Sequence, residues 1–235
     1  MDRISQIKEC AKKVVTSAYM DGYYIKAEDL DKMSEEEKND PVIKHLRTEY
    51  DMIDLCNQVN TEIDNCASVA DIISYVSISG RNNLLPFTYM VWECMDDSEL
   101  GSLLAETWIS IDGGNDNNLI SWKTWARMFK RADKNTLMTE SERAWLASQD
   151  NMMTVYRGVD SRNSANKRAL SWSADYDEAV WFASRFKDFI HGGEVWRLTI
   201  PKDKIYCYFE ERGESECVVS PYHKGYDIEV ILSLD

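Results

Sequence analysis

The chain has 235 residues, and its 27 lysines and arginines stand against 41 aspartates and glutamates, which gives a formal net charge of −14. Such an acidic chain lacks the basic surface with which proteins bind nucleic-acid phosphates, so we expect no nucleic-acid partner. A hydrophobic content of 44% argues against disorder, and only 10 glycines and 4 prolines favour helices over an all-β fold.

The chain begins with mixed charges rather than the apolar segment of a signal peptide, and no apolar run approaches the ~20 residues of a membrane span. We therefore expect a cytoplasmic protein with no membrane partner. No two of the six cysteines have the spacing of a zinc or redox pair, and the three histidines are scattered, so we expect no metal site. The segment 112–118 is similar to a calcium loop, but Lys123 occupies the position of the bidentate glutamate, which favours a polar turn.

The first 150 residues carry apolar side chains at helical spacing. In residues 4–19, Ile4, Ile7 and Ala11 fall on one stripe, and Pro41 suits the first turn of a helix that continues to Val59. Similar patterns cover 68–76, 97–108, 121–132 and 139–147, while the charged stretch 26–40 predicts a solvated helix with loops at its ends. We predict a helical N-terminal region over residues 1–150.

The pattern changes near residue 152 to short β-like runs, at 152–156, 194–200, 205–209, 215–219 and 228–232. One helix lies among them, and it begins after Ser173 with Asp175 and Glu178 as a capping pair. The sequence therefore predicts an α+β fold, in which the helical region packs on a smaller mixed α/β part at 151–235.

Two motifs in this second part can bind a ligand. In Tyr156-Arg157-Gly158, a guanidinium at a strand end can grip a phosphate with paired donors, and the glycine lets a ligand approach the backbone. In Ser171-Trp172-Ser173, two hydroxyls alternate along a strand that leads into the capped helix. The plainer interpretations are a surface arginine in a turn and a simple N-cap.

A third motif supplies carboxylates. If Glu214 and Glu216 lie on a strand, both point to the same face, where one can stabilise positive charge while the other handles a proton. The alternative is an exposed acidic strand edge.

The order of the three motifs resembles the ADP-ribosyltransferases of the Arg-Ser-Glu class, which include arginine-modifying bacterial toxins and bacteriophage enzymes. The resemblance covers roughly residues 150–235 and implies an NAD-binding core with the α/β sandwich of that family. It implies NAD as a substrate, no metal, and transfer of ADP-ribose to a protein acceptor, preferentially at arginine. It also implies a phage or bacterial source and a host protein as acceptor.

On this resemblance, Glu216 hydrogen-bonds the nicotinamide ribose, Glu214 accompanies arginine acceptors, and Arg157 contacts NAD and braces the site. Ser171 and Ser173 match the first and last serine of the family's Ser-Thr-Ser motif. Apart from the resemblance, the alternation of Ser171 with Ser173 on the strand predicts that Ser171 can hold another side chain in place.

Trp172 replaces the central threonine of that motif, and it completes a cofactor-binding set with Tyr156 and Gly158. Trp172, Trp181 or Tyr208 can stack on nicotinamide or adenine, or can be buried in the core. Residues 206–213 are expected to form the loop that meets the acceptor protein.

Two other functions remain open. In one, water replaces the acceptor and the enzyme is an NAD glycohydrolase. In the other, the chain is a catalytically silent interaction protein whose helical part binds a partner. The helical region can equally present the target or cap the NAD cleft.

Overall fold

The computed structural model describes residues 2–111, 119–190, 192–210, 213–222 and 224–234. The segment 112–118, where we predicted a polar turn, therefore lies outside the described residues. The chain divides into two compact units, Met1–Cys94 and Met95–Asp235. The sequence pattern puts the boundary near residue 150, where helices give way to strands. In the structure the last four helices before the strands belong to the same unit as the sheet.

The first unit is helical in its described residues. Its helices are α1 (Arg3–Met20), α2 (Ala27–Lys32), α3 (Glu35–Lys38), α4 (Glu49–Asn65), α5 (Val69–Ser79) and α6 (Leu84–Val91). Helix α1 packs against α4, α5 and α6. It buries Ile7 and Ala11 together with Val14 and Val15, as the apolar stripe predicts.

The helix predicted to run from Pro41 to Val59 begins later than expected. Residues Ile43–His45 form a single 3₁₀ turn, and α4 begins only after Thr48. The Thr48 hydroxyl accepts a hydrogen bond from the Asp51 N–H, and the Asp51 carboxylate accepts one from the Thr48 N–H. This capping box satisfies backbone groups that would otherwise lack partners, so it decides where the helix starts.

The second unit combines five helices with six strands in its described residues. The helices are α7 (Asp97–Ser110), α8 (Trp122–Arg131), α9 (Lys134–Leu137), α10 (Glu140–Ser148) and α11 (Tyr176–Ser184). The strands are β1 (Met152–Val159), β2 (Ser171–Ser173), β3 (Gly193–Pro201), β4 (Ile205–Phe209), β5 (Glu216–Val219) and β6 (Glu229–Leu234). They form one antiparallel sheet in the order β4-β5-β2-β1-β3-β6. The predicted combination of helices with a smaller sheet is confirmed.

Two apolar clusters hold helices against this sheet. Trp145 and Leu146 of α10 pack on a buried cluster that includes Val155 and Trp172. A second cluster joins Ala179 and Ala183 of α11 to Val195 of β3. Among the described residues, no helix is both long enough and apolar enough to cross a lipid bilayer.

Candidate active site

The sheet brings the three motifs together, because β1, β2 and β5 are neighbours although they are distant in sequence. Ser173 of β2 lies directly opposite Tyr156 of β1 on one side and opposite Glu216 of β5 on the other. Directly opposed residues of antiparallel strands point to the same face, so Ser173 and Glu216 share a face.

Arg157 links β1 to β2. Its side chain is 9% exposed, and its Nη1 donates a hydrogen bond to the carbonyl oxygen of Ser171. A buried guanidinium requires such polar partners. Arg157 therefore braces the start of β2, and Ser171 is held through its backbone.

Ser173 joins three segments. Its hydroxyl donates to the carbonyl oxygen of Glu214 at 2.9 Å and accepts from the Asp175 N–H at 2.9 Å. Beside it, the Ala174 N–H donates to the carbonyl oxygen of Ser215 at 2.8 Å. The Ser173 hydroxyl thus fixes the turn before β5 to the start of α11. Both hydrogen bonds of the Ser173 hydroxyl are therefore made to backbone atoms of the protein.

The condition under which strand alternation would put Glu214 and Glu216 on one face, that both lie on a strand, is not met. Strand β5 begins at Glu216, and Glu214 lies in the bend before it. Ser215, between them, has a φ of 44°, in the left-handed region that breaks the two-residue alternation of a strand. Both side chains are half-buried nonetheless and line the same cavity.

The carboxylate of Glu216 has a partner that the sequence does not reveal. Trp108 of α7 donates from its indole Nε1 to Oε1 of Glu216 at 3.0 Å. The helical spacing of α7 predicts a core role for Trp108, and a buried indole N–H needs an acceptor. This need for an acceptor is the one feature of the sequence that could have pointed to a partner for Trp108. It does not indicate that the acceptor is Glu216.

A cavity of about 460 Å³ opens beside these groups. This volume falls within the roughly 300–1,000 Å³ range of small-molecule sites. Its lining comprises Trp108, Ile111, Tyr156, Arg157, Gly158, Asp160, Arg162, Asn163, Ser171, Trp172, Ser173, Ala179, Phe182, Arg185, Phe186, Glu214 and Glu216. All eight predicted site residues are among them.

The chain matches no protein-family model, no curated protein and no solved structure. The residues of the cavity are therefore the basis for any functional assignment.

Positive charge in the cavity extends beyond Arg157 to two arginines that the motifs do not contain. Arg162 and Arg185 place their guanidinium carbons 4.6 and 4.9 Å from the ring centroid of Phe186. Arg162 also donates from Nε and Nη2 to the Asp160 carboxylate, at 3.0 and 2.5 Å. These hydrogen bonds, with a smaller contribution from the charge of Arg185, hold the pKa of Asp160 below its usual value. Asp160 therefore stays ionised and anchors Arg162.

Trp172, Gly158 and Tyr156 of the predicted cofactor-binding set also contact other parts of the fold. The Trp172 side chain is 2% exposed, and its Nε1 donates to the Ala169 carbonyl at 2.9 Å. A Cβ added at Gly158 would lie 2.1 Å from the carbonyl oxygen of Ala179, so this glycine admits α11. We predicted that the absence of a side chain at Gly158 lets a ligand approach the backbone. In the structure it also lets α11 pack against β1. Tyr156 packs edge-on against Tyr176, with ring centroids 5.5 Å apart.

Of the three aromatic residues considered for base stacking, Tyr208, like Trp172, is buried: it is 4% exposed and stacks on Trp145 with ring centroids 3.7 Å apart. Trp181 is 54% exposed and is not among the residues that line the cavity. On α11 and in the turn that follows it, the aromatic residues that line the cavity are Phe182 and Phe186.

The predicted acceptor loop, 206–213, is shorter in the structure. Its first four residues belong to β4, in which all residues except Tyr206 are buried, and Glu211 and Arg212 lie outside the described residues. Glu210 follows β4, is exposed, and donates its backbone N–H to Oε1 of Glu142 at 2.9 Å. Glu142 is itself buried, so α10 anchors the start of this loop.

Within the described residues, no three His, Cys, Asp or Glu side chains gather as metal ligands. Chemically, the cavity offers the fixed carboxylate of Glu216, a second carboxylate on an adjacent turn, the Asp160 carboxylate paired with Arg162, and three guanidinium groups. That combination suits a ligand that carries phosphate groups and develops positive charge during its reaction.

Proposed function

We propose that this chain is an NAD-dependent mono-ADP-ribosyltransferase that modifies a protein acceptor, preferentially at arginine. The observation that carries the proposal is the meeting of Arg157, Ser171 and Glu216 in one cavity, on three adjacent strands. The proposal includes the fold: we infer that the sheet of Met95–Asp235 is of the ADP-ribosyltransferase type.

The charges of the cavity support a dinucleotide substrate. Arg185 and Arg162, the latter paired with Asp160, lie in the same cavity as Arg157, and their guanidinium groups can donate hydrogen bonds to a diphosphate. Phe186, against which both of these added arginines pack, offers a flat apolar surface near them. These guanidinium groups support the binding of an anionic substrate by a chain with a net charge of −14.

The proposed reaction begins when the bond between the ribose C1′ and the nicotinamide nitrogen breaks, and nicotinamide leaves with the electron pair. The remaining ribosyl cation is stabilised by the Glu216 carboxylate, whose interaction is stronger in the transition state than with bound NAD. A nitrogen of the acceptor guanidinium then attacks C1′. Because that guanidinium is protonated at ordinary pH, it must lose a proton as the new bond forms, and Glu214 accepts it.

The acidic residues near β5 favour a cationic acceptor. Glu210 is exposed at the end of β4, and Glu214 is half-buried on the turn that leads to Glu216. Such a cluster attracts an arginine on a partner protein and disfavours a phosphate-rich one.

The test is to incubate the purified chain with NAD and a bacterial lysate, and to measure released nicotinamide together with the mass of modified peptides. We expect nicotinamide release and a peptide adduct of one ADP-ribosyl group on arginine, both absent with Glu216→Gln. Free ADP-ribose without an adduct would identify a glycohydrolase instead. If nicotinamide release stays at the background rate and Glu216→Gln does not change it, both enzymatic functions are excluded and the chain is an interaction protein.

A further inference from the structure

The Glu216 carboxylate is hydrogen-bonded by a helix that lies outside the region of family resemblance. Trp108, on α7, donates from Nε1 to Oε1 of Glu216 at 3.0 Å. An indole N–H can only donate and an ionised carboxylate can only accept, so the direction of this bond is fixed. A hydrogen bond to a charged group is also stronger than one between neutral groups.

The indole is itself held in place by its surroundings. Trp108 is 2% exposed, and its ring meets those of Trp125 and Phe129 edge-on, with centroids 5.2 and 5.0 Å away and planes at 85° in both cases. A ring packed in this way cannot turn without displacing its neighbours. The direction of the N–H is therefore set by the core.

Helix α7 is in turn seated closely against α9. A Cβ added at Gly101 would lie 2.2 Å from Thr136 Oγ1 and 2.7 Å from the Asp133 carbonyl oxygen. Trp108 follows seven residues later, two helical turns along the same side of α7. The close contact at Gly101 thus contributes to the position from which Trp108 reaches Glu216.

We propose that Trp108 is a positioning residue for the reaction, because its N–H holds the Glu216 carboxylate in the orientation that faces the ribosyl cation. This inference rests on the proposed function. Catalytic groups must be held within about 0.5 Å of their productive geometry. A carboxylate without this donor would adopt other orientations, and the transition state would lose more stabilisation than bound NAD would.

The test compares Trp108→Phe, which keeps an aromatic ring and removes the donor, with Trp125→Phe. Trp125 belongs to the same aromatic cluster and is fully buried, and its Nε1 has no hydrogen-bond partner in the part of the chain that the structure describes. Trp125→Phe keeps an aromatic ring beside the Trp108 indole, so each substitution removes one indole from the same cluster and only the first removes a bond to Glu216.

For Trp108→Phe in the full chain, we expect kcat of nicotinamide release to fall about ten- to a hundredfold while KM for NAD changes less than threefold. We expect Trp125→Phe to retain kcat within about threefold at a similar urea midpoint. Equal kcat values for the two variants, whether both normal or both reduced, would overturn the positioning role.

A second measurement follows the contact directly by NMR of ¹⁵N-labelled tryptophan side chains. Glu216→Gln removes the charge of the acceptor, so we expect the Trp108 indole resonance to move and the Trp125 resonance to stay. An unmoved Trp108 resonance would also overturn the proposal. If the wild-type chain releases no nicotinamide, the proposed function fails and the positioning role fails with it. Normal release with an unaffected Trp108→Phe overturns the positioning role alone.

Discussion

Glu214 and Glu216 are two residues apart, and the chain turns sharply between them. The backbone of Glu214 is held by the Ser173 hydroxyl, whereas the side chain of Glu216 is held by Trp108. Two carboxylates in different environments can take different roles in one reaction. These different environments support the proposed division of roles, in which Glu216 serves cleavage of NAD and Glu214 serves the acceptor.

This division predicts different defects for two amide substitutions. Glu216→Gln is expected to abolish nicotinamide release with and without an acceptor, because cleavage itself loses its stabilising charge. Glu214→Gln is expected to lower transfer to a small guanidino compound by about 10²–10⁴-fold and to keep most of the hydrolysis, since water needs no deprotonated guanidinium. Nicotinamide release measured with and without the guanidino compound separates the two. Wild-type rates for both variants would show that the site is assigned wrongly.

The order of the motifs predicts that Arg157, Ser171 and Glu216 belong to one site, and all three residues line the same cavity. The sequence did not reveal the turn at Ser215, because a serine in the left-handed region carries no mark in the sequence. It also did not reveal Trp108, since helical spacing indicates burial and says nothing about the acceptor that lies beside a buried indole.

Helix α11 and strand β1 meet closely at Gly158, and this contact shapes the cavity. A Cβ there would lie 2.1 Å from the Ala179 carbonyl oxygen and 2.5 Å from the Ala183 nitrogen, both backbone atoms of α11. Backbone atoms cannot move aside as a flexible side chain can. Any side chain at position 158 must therefore push the helix, which carries Phe182 into the cavity lining.

Gly158→Ala is accordingly expected to destabilise the protein by about 1–3 kcal/mol or more and to weaken binding of ADP-ribose. Gly225→Ala is the matched control, because a Cβ there has no neighbour within 4 Å and the cost is only that of a φ of 90°, about 1–2 kcal/mol. Urea unfolding and calorimetric titration with ADP-ribose measure the two effects. Unchanged ADP-ribose affinity in Gly158→Ala would contradict the link between this contact and the cavity.

The paired strands β4 and β5 bury two thiols next to the site, Cys207 and Cys217. Burial raises the pKa of Cys217 to about 12, with a further contribution from the charge of Glu216. The folded protein therefore keeps this proton at a pH where the unfolded chain, with an ordinary thiol pKa near 8.5, has lost it. Stability from this group is complete below about pH 8.5 and is lost as the pH rises toward 12.

We expect the free energy of unfolding to fall by about 1.4 kcal/mol per pH unit from Cys217 alone between roughly pH 9 and 12. Cys217→Ala removes that contribution and should make the decline shallower, even though the variant starts from a lower stability. Urea unfolding at pH 8, 9, 10 and 11 measures both slopes. Parallel slopes for the wild-type chain and the variant would show that the thiol does not contribute.

Elements with strong local signals were predicted well. The stripe of α1 and the Asp175 cap of α11 are present, and Asp175 accepts from the backbone N–H groups of Asp177 and Glu178. The helix expected from Pro41 begins later because the apolar periodicity continues past Thr48, where a capping box starts a new helix. The start of α4 is determined by local hydrogen bonds, and the spacing of apolar residues gives no information about them.

At the scale of the whole molecule, the sequence pattern placed the boundary where secondary structure changes, while the compact units divide between Cys94 and Met95. Helix α10 packs on the sheet cluster through Trp145 and Leu146, and α7 supplies Trp108. These contacts join residues far apart in sequence. A change in composition along the chain cannot indicate them, so the helical segment 97–148 was separated from the strands that it supports.

The division of the chain into two compact units predicts where the proposed nucleotide substrate binds. All residues that line the cavity belong to the unit Met95–Asp235, from Trp108 on α7 to Glu216 on β5. A ligand that binds only the folded state stabilises it by about 2.7 kcal/mol at a hundred times its Kd. Local opening of the lining segments must release the ligand first, so their amide hydrogens exchange more slowly when ligand is bound.

With saturating ADP-ribose, we therefore expect slower hydrogen exchange in peptides that cover 156–163, 171–186 and 213–219, and unchanged exchange in peptides from Met1–Cys94. Mass spectrometry of peptic fragments measures both units in one experiment. Nicotinamide alone serves as the control, since it lacks the diphosphate and should leave the peptides of Arg162 and Arg185 unprotected. Protection confined to Met1–Cys94 would place the nucleotide on the other unit and would exclude the cavity beside Glu216 as its site.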